Sequence, residues 1–350
     1  MKIGLFAPGR FLPQAKTLAT VLRSMPEASV QLFDLDLTDA KLRIERDGVF
    51  WNDTPLDSLD VVWIRGFPYT NPVLPAAEHD RDWSVWQYDY LADQQSFSAL
   101  LALFQELERR GVRVLPSPRS QWRGFMRFAI LEELRAANLR VPPLLSTNDP
   151  EQAKAFMERF ETVVWRPATG RAAWQRFIER QREALVDPGK PPILLANAVA
   201  GPMVRSYLVG GQPVLSLETH PPIHNPPQES LEVVWNRSDL HLSESECITL
   251  TQRSDATTGL PYTLDWLQVN YVVSEEGPVI YDLDPDPRID WLPEAHHTAV
   301  IEALARHLAG HAPVPVSSDL DTPAPRPVMF LRRMLRLLFE FEFSKYNTRA

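Results

Sequence analysis

Short apolar runs alternate with longer segments of helical spacing over the first 115 residues, and that alternation leaves few folds open. Lys2 to Phe6, Ser29 to Phe33, Asp60 to Arg65 and Val112 to Leu115 have the length and composition of buried strands. Gln14 to Ser24 and Tyr88 to Arg110 carry apolar residues at helical spacing, and Gly111 stops the second. Strand–helix alternation predicts a mainly parallel sheet covered by helices on both faces. Leu42 to Glu45 and Val49 to Asn52 read as a hairpin around Asp47-Gly48.

The pattern then changes. Gly124 to Ala137 reads as a helix, Leu144 to Ser146 as a strand, and Glu151 to Phe160 as a helix capped by Asn148 or Asp149 with Pro150 at its first position. Thr162 to Trp165 follows as a strand and Trp174 to Leu185 as a helix. From Pro191 onward strands dominate. These are Ile193 to Ala196, Met203 to Val209, Pro213 to Leu217 after a Gly210-Gly211 turn, and Leu267 to Val273 with Val279 to Leu283 around Glu275-Glu276-Gly277. His220 to Gln228 is a proline-rich loop, and His296 to Ala309 a closing helix. A chain of 350 residues exceeds one simple core. The expected division is residues 1–116, 117–190 and 191–310, then a proline-rich linker (311–327) and an amphipathic tail (328–350).

Composition narrows the function classes. A net charge of -9 argues against binding driven by neutralising nucleic-acid phosphates, although basic residues gather between Arg119 and Arg140. The single cysteine, Cys247, excludes an internal disulfide framework and any multi-cysteine metal site, which fits a reducing, cytoplasmic setting. No run of 18 apolar residues predicts a transmembrane helix. Only six of the 36 basic residues are lysine, and none lies between Lys41 and Lys154.

Four segments, in order, carry a family resemblance. They are Asp60-Val-Val-Trp-Ile-Arg65-Gly-Phe-Pro68; Val114-Leu-Pro-Ser-Pro118 with Met126-Arg127 and Val141-Pro142; Val163-Val-Trp-Arg166-Pro167-Ala-Thr-Gly170; and Tyr281-Asp282-Leu-Asp284-Pro-Asp-Pro287. Together they resemble ATP-grasp ligases of the glutathione synthetase and RimK type, and the first is similar to a strand end in ligases that crosslink microviridin-type peptides (graspetides). The resemblance spans about residues 1 to 310. It implies an α/β (α+β) ATP-grasp fold: a pre-ATP-grasp domain, a central lid and a C-terminal domain, with ATP between the last two.

The resemblance also implies roles. ATP-grasp ligases phosphorylate a carboxylate, and an amine attacks the acylphosphate; catalysis rests on positioning and charge stabilisation. Arg127 and Arg166 stand where the family has phosphate-binding lysines. Arginine keeps the charge but binds as a flat fork, and a general drift away from lysine is the bland account of both. Gly170 is the one glycine left in the phosphate loop, and Asn197 stands at the ribose position. Arg205 would steady the acylphosphate, while Met203 replaces a family aspartate. Asp282 and Asp284, two apart on a strand, share a face and suit Mg2+, with Asn270 one strand earlier as third ligand. Arg65 would contact a peptide or small-molecule carboxylate substrate.

Two readings follow. One is an ADP-forming carboxylate–amine or carboxylate–hydroxyl ligase using ATP and Mg2+. The other is a degenerate ATP-grasp protein serving as a binding or scaffold subunit, which the thinned phosphate loop and Met203 favour. His296-His297 reads as a surface pair, and Trp83, Trp86, Tyr88 and Tyr90 as helix packing. The basic, aromatic segment Val328 to Phe343 has the character of a membrane-surface segment, but the favoured expectation is docking on its own globule, a second copy or a partner protein.

Overall fold

The computed structural model describes residues 1–36, 40–66, 83–121, 126–168, 174–183, 185, 191–220, 232–254 and 261–316. Gly170, the loop after His220, and the linker and tail beyond residue 316 lie outside the described residues, as do the side chains of Trp83, Trp86, Tyr88 and Tyr90.

Strand β1 (Lys2–Ala7) buries every residue after Lys2, as a strand covered on both faces must. β2 (Ser29–Asp34) and β6 (Val61–Ile64) pair with it in parallel, and β7 (Arg113–Leu115) extends the sheet, giving the order β2-β1-β6-β7. A small antiparallel sheet, β3 (Leu42–Glu45), β4 (Gly48–Trp51) and β5 (Thr54–Pro55), hangs from it. Helix α1 (Leu12–Arg23) turns Gln14, Ala15, Leu18, Ala19 and Leu22 inward at helical spacing. Helix α2 (Trp83–Arg109) covers the other face, where Phe104 meets the stacked rings of Phe6 and Phe33.

The central unit holds α3 (Pro118–Gln121), α4 (Arg127–Ala136) and an antiparallel sheet of order β10-β9-β11-β8. Its strands are β8 (Leu144–Thr147), β9 (Val163–Pro167), β10 (Gln175–Arg176) and β11 (Ile193–Asn197). Helix α5 (Pro150–Arg159) starts with Asp149 accepting a hydrogen bond from the Glu151 N–H at 2.8 Å.

Two expectations change here. Residues 174–185 are not one helix: Gln175-Arg176 pairs with β9, and among the described residues the α-helical part is α6 (Glu179–Glu183). Trp174 and Phe177 would share a helix face, but they enter different cores, Trp174 toward Tyr271 and Tyr281 and Phe177 toward Phe156. The strand at Ile193, expected in the C-terminal unit, is instead the third strand of the central sheet.

The C-terminal unit is a five-stranded antiparallel sheet, β14-β13-β12-β17-β18. Its strands are β12 (Met203–Val209), β13 (Gln212–His220), β14 (Glu232–Asn236), β17 (Trp266–Ser274) and β18 (Gly277–Asp284). Helix α7 (Glu244–Thr251) and the hairpin β15 (Gln252–Ser254) and β16 (Pro261–Thr263) precede β17. Strand β14, α7 and this hairpin are not anticipated from the sequence, because such short segments carry little periodicity. Gly201, at φ +144°, lets the connection from β11 to β12 press on β17; a Cβ there would sit 2.1 Å from the Val273 carbonyl.

Each face of this sheet belongs to a different core. Tyr207, Val209, Leu215 and Leu217 pack with α1 and with Val300, Ile301, Leu304 and Leu308 of α8 (Glu294–Leu308), which ties the C-terminal unit to the first domain. The opposite face (Val204, Leu208, Val269, Leu283) meets α4, α7 and the central sheet through Val164, Leu194 and Ala196. His296, expected at the surface, is buried on α8; His297 is half-buried, and that burial lowers its pKa. No helix among the described residues is long and apolar enough to cross a membrane.

Candidate functional site

The antiparallel register sets residues far apart in sequence side by side. Arg205 on β12 stands opposite Asn270 on β17, which stands opposite Asp282 on β18. One step along, Tyr207, Gln268 and Asp284 form a second row on the same face. The central unit adds Arg166 from β9 and Arg127 from the first turn of α4. Among the described residues, the buried charged side chains are Arg65, Arg127, Arg166, Arg205, Asp282, Asp284 and Asp286, with His296 buried as well. Buried charge is costly unless paired, so its concentration at one place marks a built site.

The centre of the site is Asp282. One oxygen accepts from Arg127 Nη1 at 2.5 Å and the other from Arg166 Nη1 at 3.0 Å. Arg127 also donates to the Leu283 carbonyl. Burial alone would raise the Asp282 pKa, but Arg127 and Arg166 outweigh it and hold the carboxyl below the usual carboxylate range. The Arg166 guanidinium lies over the Trp174 ring, 5.3 Å from its centre.

Beside this knot, Arg205 Nε and Gln268 Nε2 both donate to Asn270 Oδ1, each at 3.1 Å. The Arg205 guanidinium lies 5.0 Å over the Trp291 ring. Burial lowers its pKa, opposed by Tyr207, Asp282 and Asp284. Asp284 accepts from the Asp286 N–H at 3.1 Å.

Arg65, expected to contact substrate, has no exposed surface. It donates to Gln14 Oε1 at 2.7 Å and to the Asp286 carboxylate, and lies 4.3 Å from the centre of the Phe11 ring. It fastens the loop after β18 to the first domain. Gly66 next to it, at φ +73°, leaves room for Phe11: a Cβ would come within 2.7 Å of that ring. Asp286 was missed as its partner, although Asp282, Asp284 and Asp286 alternate visibly in sequence.

Asn197 ends β11, half-buried, where the central and C-terminal sheets face each other. A small apolar cavity of about 20 Å³ lies there, lined by Val164, Trp174, Ala198, Val199, Met203, Val272 and Tyr281. Thus Arg127, Arg166, Arg205, Asn270, Asp282 and Asp284 are brought together, and Asn197 marks the apolar end.

The chemistry of this set has two halves. Guanidinium forks from both sheets suit phosphate or carboxylate oxygens. The oxygens of Asp282, Asp284 and Asn270 are hard donors of the kind magnesium prefers, yet both Asp282 oxygens and Asn270 Oδ1 already accept N–H donors.

No protein-family model and no curated protein matches the sequence. Solved structures do match in three dimensions. The macrocyclase MdnC bound with precursor peptide MdnA, from Microcystis aeruginosa MRC, superposes with a TM-score of 0.67 over 89% of this chain and 100% of its own, at 15% identity. The chain has the ATP-grasp fold. The ATP-grasp ligase PsnB, complexed with a minimal precursor, Mg and ADP, superposes with a TM-score of 0.66 over 88% of this chain and 98% of its own, at 18% identity. A RimK domain ATP-grasp protein from Sphaerobacter thermophilus DSM 20745 gives 0.55 over 89% and 98%, at 14% identity.

Proposed function

We propose that this ATP-grasp chain is an ADP-forming ligase that activates a carboxylate on a peptide or amino-acid-like substrate, using ATP and Mg2+ in the cytoplasm. One observation carries the reading: Arg127 and Arg166 from the central unit converge on Asp282 of the C-terminal unit, beside Arg205. The peptide-bound and ADP-bound states of MdnC and PsnB support the substrate and nucleotide classes.

In this reading Asp282 keeps two cations in place until an anionic ligand arrives. Phosphate oxygens would draw off Arg127 and Arg166, and the released carboxylate, with Asp284 and Asn270, would be the group that holds magnesium. The metal would supply charge neutralisation between the phosphates. Arg205, buried and stacked on Trp291, would steady the charge of an acylphosphate or orient the substrate carboxylate. Arg65 acts by holding Asp286 and the loop that bears it, not by touching substrate.

A second reading rests on the same contact. With both Asp282 oxygens held by guanidinium groups, the knot is also a stable end state for a binding or scaffold protein without turnover. Titration calorimetry with Mg-ATP separates the two: the ligase reading expects saturable binding that weakens in Arg166→Met. No heat at millimolar Mg-ATP would sink it in favour of the scaffold.

A further inference from the structure

The apolar end of the cleft carries a contact that no role in the ligase reading uses. Asn197 and Val199 lie at the end of β11 and just beyond it, on either side of Ala198. The Asn197 carbonyl accepts a hydrogen bond from the Tyr281 hydroxyl at 2.7 Å, and the Val199 N–H donates to the same oxygen at 2.8 Å. One phenol oxygen therefore satisfies a backbone acceptor and a backbone donor at once.

Such a pair, set at the rim of an apolar slot, suits the edge of a flat heterocycle, where an amino donor adjoins a ring-nitrogen acceptor. Apolar walls with a few placed polar groups are the usual form of a small-molecule subsite. Here the ring that fills the slot is the protein's own. Tyr281 stands edge-on to Trp174 at 6.0 Å, and it is almost completely buried. The cavity left between the walls is about 20 Å³, room for about one water and not for a base. Burial also raises the pKa of the phenol, so its proton stays available to Asn197.

Strand geometry separates this plug from the charged end. Tyr281 faces the core that α4 and the central sheet share, while its neighbour Asp282 faces the arginines. The charged cluster and the Asn197–Val199 backbone pair therefore sit on opposite sides of one strand, and the Tyr281 ring fills the second side.

We infer that Tyr281 stands in for a nucleotide base and makes the site select its ligand by phosphates alone. The inference rests on the nucleotide reading above. The ligand class is a magnesium polyphosphate, with the base carried along outside the slot. Residues Asn197 and Val199 keep the backbone groups for base recognition, and Tyr281 is the specificity-determining residue that silences them.

The test is calorimetry on the full chain with ATP, GTP and inorganic tripolyphosphate, each with magnesium, in the native protein and in Tyr281→Phe and Tyr281→Ala. The native chain should bind the three ligands within about threefold of one another, a difference well under one decade of affinity. Tyr281→Ala, which frees both backbone groups and the slot, should bind ATP about tenfold tighter than the native chain and prefer it over tripolyphosphate by a similar factor. Tyr281→Phe, which leaves the ring in the slot and drops only the hydroxyl, should bind the three ligands as the native chain does. Circular dichroism and the melting midpoint verify that each variant is folded. A native chain that prefers ATP over tripolyphosphate by tenfold or more overturns the inference while leaving the nucleotide reading intact. So does a folded Tyr281→Ala with no gain for ATP, or a folded Tyr281→Phe that gains as much as Tyr281→Ala. Absence of binding for all three ligands in all three proteins overturns the nucleotide reading and this inference with it.

Discussion

Asp282→Asn isolates the charge at the heart of the site. The substitution keeps the side-chain volume and one acceptor oxygen, but it removes the negative charge between Arg127 and Arg166. Both guanidinium groups are at most 2% exposed, so water cannot take over for the lost carboxylate. Removing one member of a buried ion pair typically costs about 3–5 kcal/mol, because the other charge stays buried. The remaining amide oxygen still accepts one N–H, which puts the expected loss near the lower end, about 3 kcal/mol. Urea unfolding at pH 7, followed by tryptophan fluorescence, measures it directly; the chain has ten tryptophans.

The pH dependence has a definite sign. Asp282 has a folded-state pKa below its ordinary value, so its stabilisation is present at neutral pH and is lost as pH falls through the folded pKa. The difference between native and Asp282→Asn proteins should be level from neutral pH down to about 5 and shrink below about 4, the usual aspartate range. Combining Arg127→Met, Asp282→Leu and Arg166→Met should bring stability back toward native, since apolar replacement of a whole buried cluster is often neutral or stabilising by about 1–4 kcal/mol. A loss below about 0.5 kcal/mol for Asp282→Asn, the scale of an ordinary surface change, refutes the pairing as the resting state. Asp282 would then be a carboxylate already free for a metal.

Other expectations follow from single contacts. Arg65→Met strips Asp286 of its guanidinium and should lower stability by about 3–5 kcal/mol, and the added Asp286→Leu should restore part of it; both are read by urea denaturation. Gly66→Ala puts a side chain into a left-handed conformation that costs about 1–2 kcal/mol, before any displacement of Phe11; the melting midpoint should fall. Ser243→Ala breaks the capping box that Ser243 and Glu246 form at the start of α7 and should cost about 1 kcal/mol in the same assay. The Cys247 thiol is buried and its pKa is pushed up to about 11, so a thiol reagent at pH 8 should leave the folded chain untouched and react once urea unfolds it.

The fold was largely legible in the sequence because its strands and long helices carry strong periodicity. β1 and β6 are short apolar runs, β12 and β17 are buried strands in which apolar residues outnumber the polar ones, and α1 repeats its buried residues at helical spacing. The segment 174–185 misled because Trp174 and Phe177 mimic a helix face while serving two cores. Within the site, residue identity and shared faces could be read: Asp282 and Asp284 do lie on one side of β18 beside Asn270. Partnership could not. Asp282 meets Arg127 across 155 positions and Arg166 across 116, and no local pattern states such a contact. The same holds for Tyr281, whose orientation away from Asp282 follows from strand alternation but whose bonds to Asn197 and Val199 depend on how two sheets meet.

Arginine at positions 127 and 166, where the sequence resemblance sets family lysines, has a physical reading beyond compositional drift. A lysine ammonium is a compact, strongly hydrated charge, whereas a guanidinium is planar, weakly hydrated, and donates from several fixed directions. Arg127 uses one nitrogen for both Asp282 and the Leu283 carbonyl, and Arg166 spreads its face on Trp174 while donating to Asp282. An ammonium replacing Arg166 would lose that planar stacking surface. Arginine at both positions therefore deepens the self-paired resting state of Asp282, and any phosphate ligand must compete with an aspartate already seated between two forks. Arg166→Lys tests this argument: the resting protein should lose stability while affinity for magnesium polyphosphate holds or rises. A loss of polyphosphate affinity alongside an unchanged urea midpoint would mean that the guanidinium serves the ligand and not the resting pair.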